Sequence, residues 1–197
     1  MNNSFNPQLV KQVIIGTKSQ SRRKIFKLMN FRFQYRSPNI NEKKVKDLNN
    51  DKYDALKIAK AKAEYLSKKY SNRIVVTFDT TILFRKKTIF KCGTPECCKN
   101  TLKAFNDKSH DLYTAMIFMI NNNLIKSNLS KTKIILKNTR AADINNYVEK
   151  NFKQISKAVG CYNIEGKGKI FFKDIYGSYF NIIGIDVINF LKTLKSI

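Results

Sequence analysis

Acidic side chains are scarce in this chain, 14 Asp and Glu against 38 Lys and Arg, so an acid in apolar company is informative. Asp79 is such an acid: Val75-Val76-Thr77-Phe78 precede it and Thr80-Thr81-Ile82-Leu83-Phe84 follow. A carboxylate in an apolar strand is costly unless it is paired, hydrogen-bonded or bound to a metal. It has two uses. It can be a structural acceptor for a turn, or a metal ligand or general base at a strand end, where α/β folds place their ligands. A second group is Ser19-Gln20-Ser21-Arg22-Arg23. Free amides at a helix start, two hydroxyls and two guanidiniums can hold an anion, although an Arg pair at a helix start is also an ordinary solvated face. A third is Lys91, which a hairpin through Arg85-Lys86-Lys87 would return toward the strand that bears Asp79.

These residues need elements to position them. Residues 10–16 (VKQVIIG) read as a short strand ended by Gly16, with a polar loop over 17–21 and a helix over 20–29 showing Ile25, Phe26 and Met29. The Phe-Arg-Phe-Gln-Tyr alternation over 31–35 predicts a strand. Leu56, Ala59, Ala63 and Leu66 form the buried stripe of a helix over 51–69, with Asp51 able to cap it. Residues 73–84 read as a buried strand interrupted at Asp79. Helices are expected over 96–105, with Pro95 near the first turn, from 141 or 142 to 151, with Asp143 at the positive dipole end, and over 186–194. Strands are expected over 112–120, 131–136 and 170–175, and a turn or short strand over 179–185. This mixture places the chain in the α/β or α+β class with a mixed sheet.

With 197 residues and 43% hydrophobic residues, the chain can bury a real core as one domain, 1–197. No apolar run approaches the roughly 18–20 residues of a membrane span, and MNNSFNPQLVKQ lacks the apolar centre of a secretory signal. A soluble cytoplasmic protein with no membrane partner is expected. The net charge of +24 suits partners that carry phosphate, but the lysines are spread along the whole chain, as a general compositional bias would spread them. Cys92, Cys97, Cys98 and Cys161 fit no zinc spacing, and only His110 could complete a site, so they read as reduced thiols.

Taken in order, the Ser/Arg loop, Glu42, Lys62, Asp79 and Lys91 resemble the Maf family, the septum-formation-inhibitor-like nucleoside triphosphate pyrophosphatases, from about Val13 to Leu194. Thr17, Ser19 and Arg22 fall on its opening Ser-x-Ser-Pro-x-Arg. Glu42 falls on the acid closing its Asp-x-Asp-Glu-like stretch, Lys62-Ala63 on the Lys-Ala of its helix and Asp79-Thr80 on its Asp-Thr. Lys91 matches the Lys of Gly-Lys-Pro and Thr114 the Thr of the next strand. Gly160, Tyr162, Gly166, Gly177-Ser178-Tyr179, Asn181 and Gly184 match its closing blocks. Arg23, Tyr113-Thr114 and Ile164-Glu165-Gly166 resemble the 7-methyl-GTP-hydrolysing subgroup. A carboxylate at Glu165 suits a cationic N7-methylated guanine, and can equally accept from guanine N1–H and its amino group. The chain departs from the family at Gln20, Ala61, Phe90 and Cys92, and at several glycine positions.

The resemblance implies an elongated mixed sheet flanked by helices with a cleft between two lobes, as in inosine triphosphatases. It also implies hydrolysis of a nucleoside triphosphate to the monophosphate and pyrophosphate, and a homodimer. In this reading Asp79 is the general base and holds Mg²⁺ or Mn²⁺, with Glu42 as second acid and metal ligand. Arg22, Lys62 and Lys91 clamp the triphosphate, Arg23 assists, Ser19 binds phosphate oxygens, and Thr114 and Glu165 complete the substrate contacts. Read alone, Lys62 and Lys91 are ordinary surface lysines, His110 is structural, and Tyr162 and Tyr179 are core aromatics that could instead stack on a base. The alternatives are a degenerate, non-catalytic family member or a basic nucleic-acid-binding module. The latter lacks any recognition motif, so no specific nucleic acid is expected.

Overall fold

The computed structural model describes residues 5–45, 48–49 and 51–197. Its helices are α1 (Pro7–Gln12), α2 (Gln20–Leu28), α3 (Asp54–Lys69), α4 (Pro95–Phe105), α5 (Ala141–Ile155), α6 (Tyr179–Ile183) and α7 (Val187–Ser196). Its strands are β1 (Val13–Gly16), β2 (Gln34–Arg36), β3 (Ile74–Phe84), β4 (Lys87–Ile89), β5 (Ser109–Ile120), β6 (Asn123–Leu136) and β7 (Phe172–Tyr176). The strands make one sheet in the order β2-β1-β3-β5-β6-β7, with β4 on β3. The pairs β2–β1 and β1–β3 are parallel and the others antiparallel. The result is a seven-stranded mixed α/β sheet flanked by helices. Among the described residues no helix is long and apolar enough to cross a membrane.

Strand alternation sorts the long β3 onto two faces. Thr77 and Asp79, opposite Ile117 and Ala115, face α3, where Ala55, Ala59 and Ala63 pack on Ala115, Ile117 and Met119. Alanines let the helix lie close to the sheet, and Thr77 Oγ1 donates to Ala59 O across that gap at 2.6 Å. Val76 and Phe78 face the other way, into a core with Phe26 of α2, Phe118 and Phe190 of α7. Ile82, further along the strand, belongs to a separate core with Cys98, Leu102, Phe105, Tyr147 and Tyr162. Asp79 and Thr80 therefore sit on β3 between one core and the next.

Several expected elements change. Residues 10–12 are the end of a helix rather than strand, because Asn6 caps and Pro7 opens α1. The second strand is shifted to 34–36, the β6 strand begins at 123, and 179–185 holds the helix α6. Short apolar runs carry no period that separates strand from helix. The strand is not interrupted at Asp79: β3 is continuous, since a side-chain ion pair meets the cost of the buried acid and the ladder is untouched. Asp51 accepts from Tyr53 N but lies outside α3, and Asp54 takes the amides of Asn49 and Asp51. The cysteines are not all reduced: Cys92 and Cys97 are disulfide-bonded, leaving Cys98 and Cys161 free and buried.

His110 is buried, stacked on Phe105 at 4.3 Å between ring centroids and 2.8 Å from the Tyr162 hydroxyl. Burial pulls its imidazole down to about 4, against a weaker opposing pull from Asp111. The unfolded chain, near 6.5, then takes up the proton first. This contribution to stability is complete above about pH 6.5 and falls by about 3 kcal/mol as pH drops to about 4. Chemical denaturation across that window should show this slope in the native chain and not in His110→Phe. A slope unchanged by the substitution would remove His110 as its source.

Candidate active site

Lys62 comes from the third turn of α3, one position from the alanine stripe. That placement buries it, at 7% exposure, instead of setting it on a solvated face. Its ammonium lies 2.6 Å from Asp79 Oδ1 and 2.7 Å from Glu42 Oε1. Glu42 opens a 3-10 turn, Glu42–Lys44, between β2 and α3, and its other oxygen stands 3.8 Å from Lys91 Nζ. Lys91 arrives by the expected hairpin. Arg85 and Lys86 adopt positive φ at the turn, and the β3–β4 register pairs Ile82 with Ile89, so the chain runs back toward Thr80. Four residues far apart in sequence thus form an alternating chain of charge: Asp79, Lys62, Glu42, Lys91.

Arg22 reaches the same place from the opposite face of the sheet. Ser19 caps α2 by accepting from Arg22 N at 3.3 Å, which fixes the first turn. The Arg22 guanidinium then donates through Nε to Gly184 O at 2.8 Å and through Nη2 to Thr80 Oγ1 at 3.0 Å, above the Phe78 ring. Thr114 Oγ1 lies 3.0 Å from Thr80 Oγ1 and donates to Asn181 O at 3.0 Å. Each hydroxyl has one proton, so the bonds run in one direction, from Arg22 to Thr80 to Thr114 to Asn181. Thr80 and Gly184 hold the arginine, and Asn181 anchors Thr80 through Thr114, roles that their residue types alone do not announce.

The field of this cluster separates the two acids. Burial pushes the Asp79 carboxyl up, and Lys62 and Arg22 only partly offset it, so Asp79 sits above the ordinary aspartate value. Burial also raises Glu42, but Lys62, Lys91 and Arg22 together outweigh it and hold Glu42 below the usual glutamate value. The pair thus offers one carboxylate that binds a proton readily and one that stays ionised. Both are hard oxygen donors that already share one cation, Lys62, and among the described residues nothing donates to Asp79 Oδ2. That donor set fits Mg²⁺ or Mn²⁺, which need few protein carboxylates when phosphates supply the rest.

Two further expected contacts make no bond to this cluster among the described residues. Arg23 Nη2 donates to Thr17 O at 3.0 Å and its guanidinium lies over the Tyr35 ring at 4.9 Å, while its buried Nε has no partner among the described residues. Glu165 is in an exposed turn where its amide donates to Asn163 Oδ1, and among the described residues its carboxylate has no hydrogen-bond or ion-pair partner. Tyr162 is buried beside His110, whereas Tyr179 is half exposed.

Gly184 ends α6 at φ 102°, and a Cβ there would stand 2.7 Å from Arg22 Nη2 and 2.8 Å from Nε. Gly184→Ala therefore combines left-handed strain, about 1–3 kcal/mol, with displacement of the guanidinium. A lower urea midpoint and a raised KM for an anionic substrate are expected. An unchanged KM in the folded variant would show that Arg22 holds its place without the glycine.

The chain is similar to known proteins over nearly its whole length. Over 194 residues the chain is 29% identical to a protein named nucleoside triphosphate pyrophosphatase from Pelagibacter ubique, covering 96% of this chain and all of that one. It is 30% identical to a dTTP/UTP pyrophosphatase from Fusobacterium nucleatum, covering 94% and 95%, and 27% identical to another from Pyrococcus furiosus at the same coverage. A solved HAM1 protein from Coxiella burnetii superposes with a TM-score of 0.40 at 14% identity, over 63% of this chain and 72% of that one. The family model described as Maf-like protein matches residues 12–197. That span holds every residue from Ser19 to Gly184 that builds the cluster, and the chain belongs to the Maf family.

Proposed function

We propose that this protein is a nucleoside triphosphate pyrophosphatase that cleaves its substrate between the α and β phosphates. The single observation that carries the reading is Lys62 lodged between Asp79 and Glu42, with Lys91 and Arg22 bearing on the same acids. The barrier to this reaction is repulsion between an incoming water and a polyanion, so a site must neutralise phosphate charge and hold the nucleophile. Lys91, half exposed, and Arg22 meet the triphosphate oxygens, with Lys62 beneath. Asp79 keeps Oδ1 on Lys62 and takes the proton of the attacking water at Oδ2. The water oxygen bonds to phosphorus, the P–O bond of the α–β bridge breaks, and its electron pair leaves with the bridging oxygen. Glu42, held ionised, orients the water. A bound Mg²⁺ or Mn²⁺, held by Asp79 and Glu42 with the phosphates, supplies further charge neutralisation.

For the base, we take 7-methyl-GTP as the first substrate. Glu165 supports this: its exposed carboxylate is free to meet a cationic N7-methylguanine or the donor edge of guanine. Arg23, packed on Tyr35, and Tyr113, buried on β5, also carry that subgroup resemblance. The second reading is dTTP or UTP, favoured by the names of several relatives. A panel of triphosphates with Mg²⁺ or Mn²⁺, assayed for pyrophosphate and monophosphate, tests both. Release of both products, lost with a chelator, is expected. No release from any nucleotide by the folded protein would overturn the enzyme, and preference for dTTP or UTP unchanged in Glu165→Gln would overturn 7-methyl-GTP.

A further inference from the structure

Three of the four cysteines cluster in the core, and the fourth, exposed Cys97, is tied to them by a disulfide. Cys92 follows β4, Cys97 and Cys98 lie in the first turn of α4, and Cys161 arrives from the distant 3-10 turn Val159–Cys161. Cys92 and Cys97 are disulfide-bonded, and the sulfurs of Cys92, Cys98 and Cys161 all lie within 4.8 Å of one another, all three buried. We propose that after reduction of the disulfide these four residues bind one thiophilic divalent cation, for which Zn²⁺ is the best fit.

Four thiolates at about 2.3 Å from zinc stand about 3.8 Å apart in a tetrahedron. None of the three buried sulfur pairs is more than about 1 Å beyond that spacing, and Cys97, held next to Cys92 by the disulfide, turns inward after reduction to complete the tetrahedron. The donor set is all sulfur, which selects zinc over the hard cations suited to Asp79 and Glu42. Burial pushes the Cys161 thiol well above its ordinary value, so the cation must displace a firmly held proton there; the amide-rich first turn of α4, which carries Cys97 and Cys98, offsets part of that cost. Backbone geometry is also committed to the arrangement. Gly160 and Cys161 both adopt positive φ, 82° and 59°, an unfavourable conformation for a non-glycine residue, and it turns Cys161 into the core. The sequence conceals the site because Cys97 and Cys98 are adjacent and Cys161 is remote, so no zinc spacing appears. In the proposed reaction a dithiol reductant is oxidised to its disulfide while Cys92 and Cys97 each gain an electron and a proton. The cation then displaces the thiol protons to solvent.

The test uses the full chain, reduced anaerobically and freed of reductant; the thiols of a denatured aliquot are counted by a chromogenic disulfide, and the untreated remainder is titrated with Co²⁺. One Co²⁺ per chain is expected, with near-ultraviolet sulfur-to-cobalt absorption and tetrahedral bands in the visible, bleached by Zn²⁺. A cation on Asp79 and Glu42 gives no sulfur absorption, so the sites are distinguishable. Cys97 is exposed, so Cys97→Ser leaves the core intact and should weaken Zn²⁺ binding at least about tenfold, since even outer-shell changes cost 10–100-fold; Cys161→Ser should weaken it further. Four titratable thiols without a sulfur-to-cobalt band would overturn the proposal. So would a disulfide that resists dithiol in the folded chain, or Cys97→Ser binding as tightly as the native chain.

Discussion

Asp79→Asn is expected to lower kcat/KM for triphosphate hydrolysis by about 10²–10⁴, the range for removal of a positioned general base, with little change in the fold. Asparagine keeps the shape and can still accept from Lys62 Nζ, at present 2.6 Å from Asp79 Oδ1. What it loses is the anionic oxygen that takes the water proton. The pH profile supplies a second readout. Burial raises the Asp79 carboxyl against the pull of Lys62, and the base works only when ionised. In the native protein kcat/KM should therefore fall as pH is lowered through a value above the ordinary aspartate range, and this acid limb should disappear from the residual activity of the variant. A folded Asp79→Asn protein with native kcat/KM would remove Asp79 as base. A limb at the ordinary aspartate value would show that burial does not control the titration in the free enzyme.

The acid is legible from its neighbours, whereas its partner Lys62 is marked only by the family resemblance, for a physical reason. A carboxylate among valines and phenylalanines contradicts its surroundings, and the contradiction marks it. Lys62 is one lysine among many, on a helix whose apolar spacing runs through Leu56, Ala59, Ala63 and Leu66. Yet Lys62 is four residues after Ile58 and four before Leu66, both buried, so it lies on the same face at i, i+4 spacing. A cation on an apolar stripe is the counterpart of an acid in an apolar strand. The Arg22 loop was visible as a strand–loop–helix junction, but its partners were not, because the acceptors are a backbone carbonyl at Gly184 and a threonine hydroxyl. Nor does local pattern carry the opposite faces of β3, which bring Lys62 and Arg22 to one place from two sides. The apolar run at 179–185 was ambiguous for the same reason that all short runs are: one helical turn and one strand both fit it.

Lys62→Met tests whether the lysine is the keystone of this charge chain. Methionine keeps most of the volume and apolar stem, so lost packing is minor, but Asp79 is left buried without its counter-charge. Breaking such a pair from one side costs about 3–5 kcal/mol. The cost is borne mainly at Asp79, because Glu42 is 40% exposed and solvent screens it. Catalysis should fall by about 10²–10³, as when one charge-stabilising donor is removed from a site. Both carboxyls should also take up protons at higher pH. The double variant Lys62→Met/Asp79→Asn separates pairing from packing. If the cost is the uncompensated charge, removing the carboxylate as well should restore a large part of the urea midpoint while leaving activity low, giving a strong coupling energy between the two sites. If the lysine is only a well-packed side chain, the two substitutions will add, and the single variant will hold its midpoint and its kcat near native values. That result would dissolve the cluster as a functional unit, because Glu42, Asp79 and Lys91 would then share a neighbourhood without sharing a charge.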